Sequence, residues 1–283
     1  EVGNAKDFQN FLRELDVKGR IFVVKPDWST ASSFTSAETL DWLFSSMEGV
    51  FKVVEGYSDR RNQLNTGIEA KEVFTTSNVK AKWEWIKEQE TWFLRFSGID
   101  ETLRRHNVEY INTTEEIWST RTLESEEVKE RVDNKYGTLI SQEMYRMVPT
   151  KIHELRDSTL ISLGNCDRSQ EQLSFSTVNL LGLIADPVQY RKSLERGNDY
   201  LAQKTVDINK IYRSFFSPCY WINEIKNNGI FVGSRNSAEA DAVTAHMLGL
   251  DPEKIPYLRH VTNVFGGYDR AVLDKIAKIP FST

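Results

Sequence analysis

Only two cysteines, Cys166 and Cys219, occur among the 283 residues. Two thiols cannot supply the four ligands of an iron–sulfur cluster. Neither belongs to a CxxC pair, and so few in a chain this long point to a reducing compartment. The four histidines (His106, His153, His246, His260) show no HxxxH or HxH spacing, so no zinc site is indicated. No run approaches the ~18 apolar residues of a membrane span. The first residues, Glu1 to Gly19, are charged and amphipathic, unlike a signal peptide. A cytoplasmic chain without membrane contact is the expectation. Positive charge is not in excess either: the net charge is -5, with both signs mixed along the chain. That argues against the basic stripe needed to hold a phosphate backbone, and no nucleic-acid partner is expected. GxGxxG, P-loop and GxSxG motifs are all missing, which leaves nucleotide cofactors and the usual hydrolase elbow without support.

What is present is ordinary globular composition, 40% apolar and 27% charged. Phe8, Phe11, Leu12 and Leu15 share one face of a helix over Asp7 to Leu15. Ile21 to Val24 and Phe51 to Val54 are continuous apolar runs, the pattern of strands covered on both faces of a parallel sheet. Between them, Thr35-x-x-Glu38 reads as a capping box opening a helix through Leu40, Leu43, Phe44 and Met47, which makes a βαβ unit. A polar loop over Gly56 to Lys80 follows, then helices over Lys80 to Phe96 and Ile99 to His106, and a strand at Val108 to Ile111. Glu115 to Val132 is a charge-dense surface segment, and Thr138 to Val148 reads as strands or a hairpin. A buried strand, Thr159 to Leu163, ends at Gly164-Asn165. Helices are expected over Gln170 to Leu183, Val188 to Gln203 and Ile208 to Phe215. Strands are expected over Tyr220 to Ile225 and Ile230 to Gly233, then helices over Ala238 to Leu248 and Asp269 to Ala277. The expected fold class is α/β: one domain over 1–283, a mostly parallel sheet with helices on both faces, and an inserted or peripheral subregion about 60–150.

Ligands of open parallel sheets bind outside the carboxyl ends of the strands. Four turns qualify: Lys25-Pro26-Asp27, Glu55 to Asp59, Gly164 to Asp167, and Ser234 to Ser237. Lys25 and Arg235 would attract a carboxylate or phosphate there. Helix starts at Thr35–Ser36 and Asn236–Ser237 would add free N–H groups. Asn165, Asn179 and Ser237 are the polar binding candidates. Asp241, Lys25 and Asp27 are the acid–base candidates, although Asp241 reads equally as a charge meeting a helix N-terminus. Asp27, Asp59 and Asp241 are the oxygen ligands a divalent metal would choose, without a diagnostic spacing. Cys166 reads either as a small half-buried residue or as a thiol activated at a strand-to-helix turn. The helix bearing Trp85 and Trp92 is a candidate surface for self-association.

The segment from Ala240 to Leu258, with Asp241 and the turn Gly249-Leu250-Asp251-Pro252, resembles the C-terminal hallmark of the domain of unknown function 362 family. Other pieces follow in the family's order: Val24-Lys25-Pro26-Asp27, Val53 to Asp59, Phe96 to Ile111, Asp157 to Leu163, and Val178 to Ile184 with Asn179. The resemblance spans about residues 20–260 and implies the α/β scaffold. It departs where many relatives carry Lys-x-His after the middle strand. Here that place reads Gly164-Asn165-Cys166-Asp167-Arg168-Ser169. The ferredoxin-like cluster domain of some relatives has no counterpart cysteines. Two functions are therefore expected: an enzyme on a small anionic metabolite at the strand edge, or a non-catalytic binding or assembly protein that has lost the family's polar site.

Overall fold

In the computed structural model, residues 2–58, 61, 79–166, 175–184, 198–226 and 229–279 are described. The uninterrupted apolar runs become strands of one sheet: β1 (Ile21–Lys25), β2 (Val50–Glu55), β3 (Glu109–Asn112), β4 (Thr159–Cys166), β5 (Cys219–Ile225) and β6 (Ile230–Ser234). Their order is β3-β2-β1-β4-β5-β6. All neighbours pair parallel except β5 and β6, which are antiparallel. The chain builds outward from β1 through β2 to β3, then returns to the other flank of β1 with β4. The crevice between the ends of β1 and β4 is thus the topological switch point, the place where such sheets take ligands. β3 lies inside the span expected as a subregion and forms a sheet edge.

Alternation along β1 divides its neighbours between two cores. Phe22 and Val24 face Phe8 and Leu12 of α1 (Ala5–Glu14), Leu40 and Leu43 of α2 (Ala37–Ser46), and Phe93 of α3 (Trp83–Phe96). Leu103 of α4 (Ile99–Arg105) joins this layer. Val23 faces the opposite layer, where Val128 and Val132 come from α6 (Ser125–Tyr136) and Ile208, Ile211 and Phe215 from α9 (Asn198–Phe215). Between α4 and α9 the chain also forms α5 (Thr113–Trp118), α7 (Thr150–Glu154) and α8 (Ser176–Asn179). Beyond β6, α10 (Ser237–Met247), α11 (Pro256–Phe265) and α12 (Arg270–Leu273) build a third cluster around Ala238, Ala242, Leu258 and Val261. Helices therefore cover both faces. Among the described residues no helix is long and apolar enough to cross a membrane.

Several expected boundaries shift for identifiable reasons. The α2 cap is Ser36, whose Oγ accepts from Thr39 N at 3.0 Å. Thr138 to Val148 forms no sheet strand. The N–H groups of Ile140 and Ser141 are taken by the buried Asp207 carboxylate at 3.2 and 2.7 Å, and a 3₁₀ turn, Gln142–Arg146, follows. β4 runs on to Cys166, so Gly164 and Asn165 are strand rather than turn. Residues 167–174 and 185–197, which include the starts of the helices expected at Gln170 and Val188, and residues 59–60 and 62–78 of the loop expected over Gly56 to Lys80, are outside the described residues. Within the described part the two helices expected before β5 are the single α9. Of the helix expected at Asp269 to Ala277 only α12 forms.

Candidate functional site

Lys25 is the last residue of β1, and alternation points it to the α8 side with Val23. Its Nζ donates to Glu55 Oε2 at 2.8 Å, Asn179 Oδ1 at 2.7 Å and the Pro26 carbonyl at 2.7 Å. These bonds use all three ammonium protons. Asn179 reciprocates: its Nδ2 donates to the Lys25 carbonyl (2.9 Å), the Leu163 carbonyl (3.0 Å) and Ser162 Oγ (3.2 Å). One amide thus stitches β1 to β4 at the switch point. Glu55 accepts further from Trp28 N and Gly56 N.

Behind this pair, Arg61 holds Glu90 through Nε (2.9 Å) and Nη2 (3.1 Å) and donates to the carbonyls of Trp28 and Gly56. It ties the tips of β1 and β2 to α3. Asp27 receives the Ser29 N–H at 3.1 Å, while its own N–H donates to Thr35 Oγ1 at 2.9 Å. Lys25, Asp27, Glu55, Arg61 and Glu90 are all buried, none more than 3% exposed. Burial pushes the Lys25 ammonium below its ordinary value, opposed by Glu55 and Asp27. Burial also works against the Arg61 cation, but Glu90, Tyr110 and Glu55 carry it above the usual range. A cavity of about 20 Å³ lies over the group, lined by Lys25, Asp27, Glu55, Tyr57, Arg61 and Asn179. It has room for one water-sized group.

The backbone of α8 and the 3₁₀ turn after it, Leu180–Leu183, closes the floor. A Cβ on Gly182 would stand 2.5 Å from Glu55 Oε1 and 2.9 Å from Lys25 Nζ. Gly182→Ala should therefore force the pair apart. The expected cost is about 1–3 kcal/mol, the usual range for overpacking, read from urea denaturation midpoints.

Asp241 does not share this cavity. It is fully buried in α10, and its carboxylate accepts from Ser176 Oγ (2.9 Å), Asn223 Nδ2 (2.9 Å) and Tyr257 Oη (3.0 Å). Burial pushes its pKa up, against these neutral donors. It is a buried anchor joining α8, β5, α10 and α11. The two clusters meet through α8, because Ser162 Oγ donates to the Ser176 carbonyl and accepts from Asn179.

Arg235 and Ser237 need correction. β6 runs antiparallel, so the turn after it lies at the opposite edge of the sheet from Lys25. Arg235 is exposed there, 3.5 Å from Asp16 and 2.9 Å from Tyr220 Oη. Ser237 is buried and its hydroxyl accepts from Arg213. Asn165 is at the Lys25 edge but on the other face, with Nδ2 donating to Ser33 Oγ at 3.0 Å. Cys166 ends β4, and burial, then the Asp241 charge, pushes its thiol well up, away from the thiolate. Both cysteines are free thiols. Asp59 is outside the described residues, and among those described no three His, Cys, Asp or Glu side chains group as a metal site. Trp85 packs partly buried beside Tyr57 and Ile86, so it does not share an exposed face with Trp92.

Glu55 and Asn179 are 124 residues apart, and Arg61 carries no sequence signal at all. Gly182 was visible only as part of the Asn179 segment. The larger grooves, about 310 and 370 Å³, lie beside α12. Arg270, which borders both, is exposed and paired with Glu253, so they lack buried charge.

No match to this chain is found among protein-family models, curated proteins or solved structures. Fold and site together define a doubly wound α/β chain with a charged, buried crevice at the ends of β1 and β2, beside its switch point.

Proposed function

We propose that the chain is an enzyme acting on a small carboxylate- or phosphate-bearing metabolite seated over the Lys25–Glu55 pair. The supporting observation is the burial of five ionisable side chains at one strand edge. Buried ion pairs contribute little net stability compared with apolar packing, and such groups gather where chemistry is done. The cavity admits one water-sized group. What enters is one oxygen of a larger molecule lying across the strand ends, and it takes the place of one of the three oxygens to which Lys25 now donates. Lys25, with its value pushed down, serves as the proton-transfer group. Asp27 and Asn179 position the substrate. The resemblance to the domain of unknown function 362 family belongs to this reading, since Lys25 and Asn179, two residues that carry it, are bonded to each other.

The test is a melting-temperature screen against carboxylates, phosphorylated metabolites and divalent metals. A ligand at a hundred times its Kd should raise the midpoint by about 5 °C. The shift should shrink in Lys25→Met/Glu55→Gln, which removes both charges together. A shift of equal size in that variant contradicts the assignment.

The assembly reading has one observation of its own: Trp92 (44% exposed) stacks on Phe96 (75% exposed) at 6.1 Å on the outer face of α3. If the chain self-associates there, Trp92→Ala/Phe96→Ala lowers the mass seen by light scattering. Unchanged mass removes this reading.

A further inference from the structure

At the sheet edge opposite Lys25, in the last turn of α9, sits a cation without an ion-pair partner among the described residues, balanced only at longer range by Asp241. Arg213 is 8% exposed, and no ion pair of the described residues includes it. Its guanidinium carbon lies 3.9 Å from the Trp221 ring centre and 4.0 Å from that of Phe265, so the group is sandwiched between two aromatic faces. Only its in-plane N–H edges remain for hydrogen bonding. One nitrogen, Nη2, donates to Ser237 Oγ in the first turn of α10. Among the described residues Nε has no acceptor, and neither does the indole Nε1 of Trp221, itself 1% exposed. Two buried donors without acceptors and a charge without an ion pair cost the fold solvation that the two rings and the more distant Asp241 only partly replace. Burial pushes the Arg213 guanidinium down to about 10.

We propose that Arg213, Trp221 and Ser237 form a second ligand site, for a small oxyanion. The chemistry fits each part. A guanidinium edge takes two oxygens of a carboxylate or phosphate side by side. The eleven-residue α10 presents its positive end there. Asn236 already accepts from the N–H groups of Ala238 and Glu239, so the anion's partners are the Arg213 edge, the Trp221 indole and the Ser237 hydroxyl. This site is independent of the Lys25 crevice.

The experiment is a melting-temperature titration of the full chain with inorganic phosphate and, separately, acetate, at constant ionic strength. Lys25→Met/Glu55→Gln, which lacks the first site, should still respond to at least one of the two. Arg213→Met, which keeps an apolar stem between the rings, should not respond. Which ion acts tells phosphate from carboxylate as the natural chemistry. Ser237→Ala provides a milder variant should Arg213→Met fail to fold, and its half-saturating concentration should rise about tenfold. An equal shift in Arg213→Met, an unchanged titration in Ser237→Ala, or no shift of wild type with either ion overturns the proposal. Equal shifts in every variant mark an adventitious ion only.

Discussion

Lys25→Ala should destabilise the fold by about 3 kcal/mol, because it leaves the buried Glu55 carboxylate with only Arg61, 4.0 Å away, to balance it. Three acceptors lose their donor at once: Glu55 Oε2, Asn179 Oδ1 and the Pro26 carbonyl. Glu55→Gln alone should cost less, since the amide oxygen still accepts from Trp28 N or Gly56 N. The double change Lys25→Met/Glu55→Gln should recover most of the loss. Removing both members of a buried pair is far milder than removing one. Urea denaturation of wild type, Lys25→Met, Glu55→Gln and the double variant measures the coupling. Additive losses would mean that Lys25 and Glu55 do not act as a pair.

Asp241→Ala should cost on the order of 3 kcal/mol or more. Ser176, Asn223 and Tyr257 each lose an acceptor in a buried setting, and an unmet donor costs about 1–3 kcal/mol. The losses will not simply add, because the three donors belong to one network. Asp241 also sets a pH dependence. Burial raises its folded pKa above the unfolded value of about 4, so the folded state holds the proton more tightly. That contribution is complete below about pH 4 and is lost as pH rises through the folded value. Glu224, also raised by burial, acts in the same direction. Stability should therefore fall between mild acid and neutral pH, and Asp241→Asn should flatten the slope. Denaturation midpoints that rise from pH 5 to pH 7.5 would contradict this.

The fold was legible wherever burial leaves an unambiguous pattern. The apolar runs at Ile21 and Phe51 can only be strands covered on both sides, and they are. The direction of β6 could not be read. Ile230 to Ser234 is partly exposed throughout, and a two-sided strand of this kind has the same periodicity in either direction. That one ambiguity misplaced Arg235 and Ser237 by the full height of the sheet. α11 was passed over, although Pro256 at its start and the spacing of Tyr257, Leu258 and Val261 mark a helix. In the site, Lys25 and Asn179 were each recognisable, but their bond depends on how α8 crosses the end of β1. Arg61 had no signal, since one arginine in a polar stretch looks like any other until its partner Glu90 is brought to it by α3.

The most direct measurement is a crystal structure of the chain grown with the tightest binder from the melting screen. The prediction is a ligand oxygen within hydrogen-bonding distance of Lys25 Nζ, with the rest of the molecule lying over Asp27 and Asn179. A ligand held instead beside Arg270 and Glu253, with the Lys25–Glu55–Asn179 bonds unchanged, would contradict it.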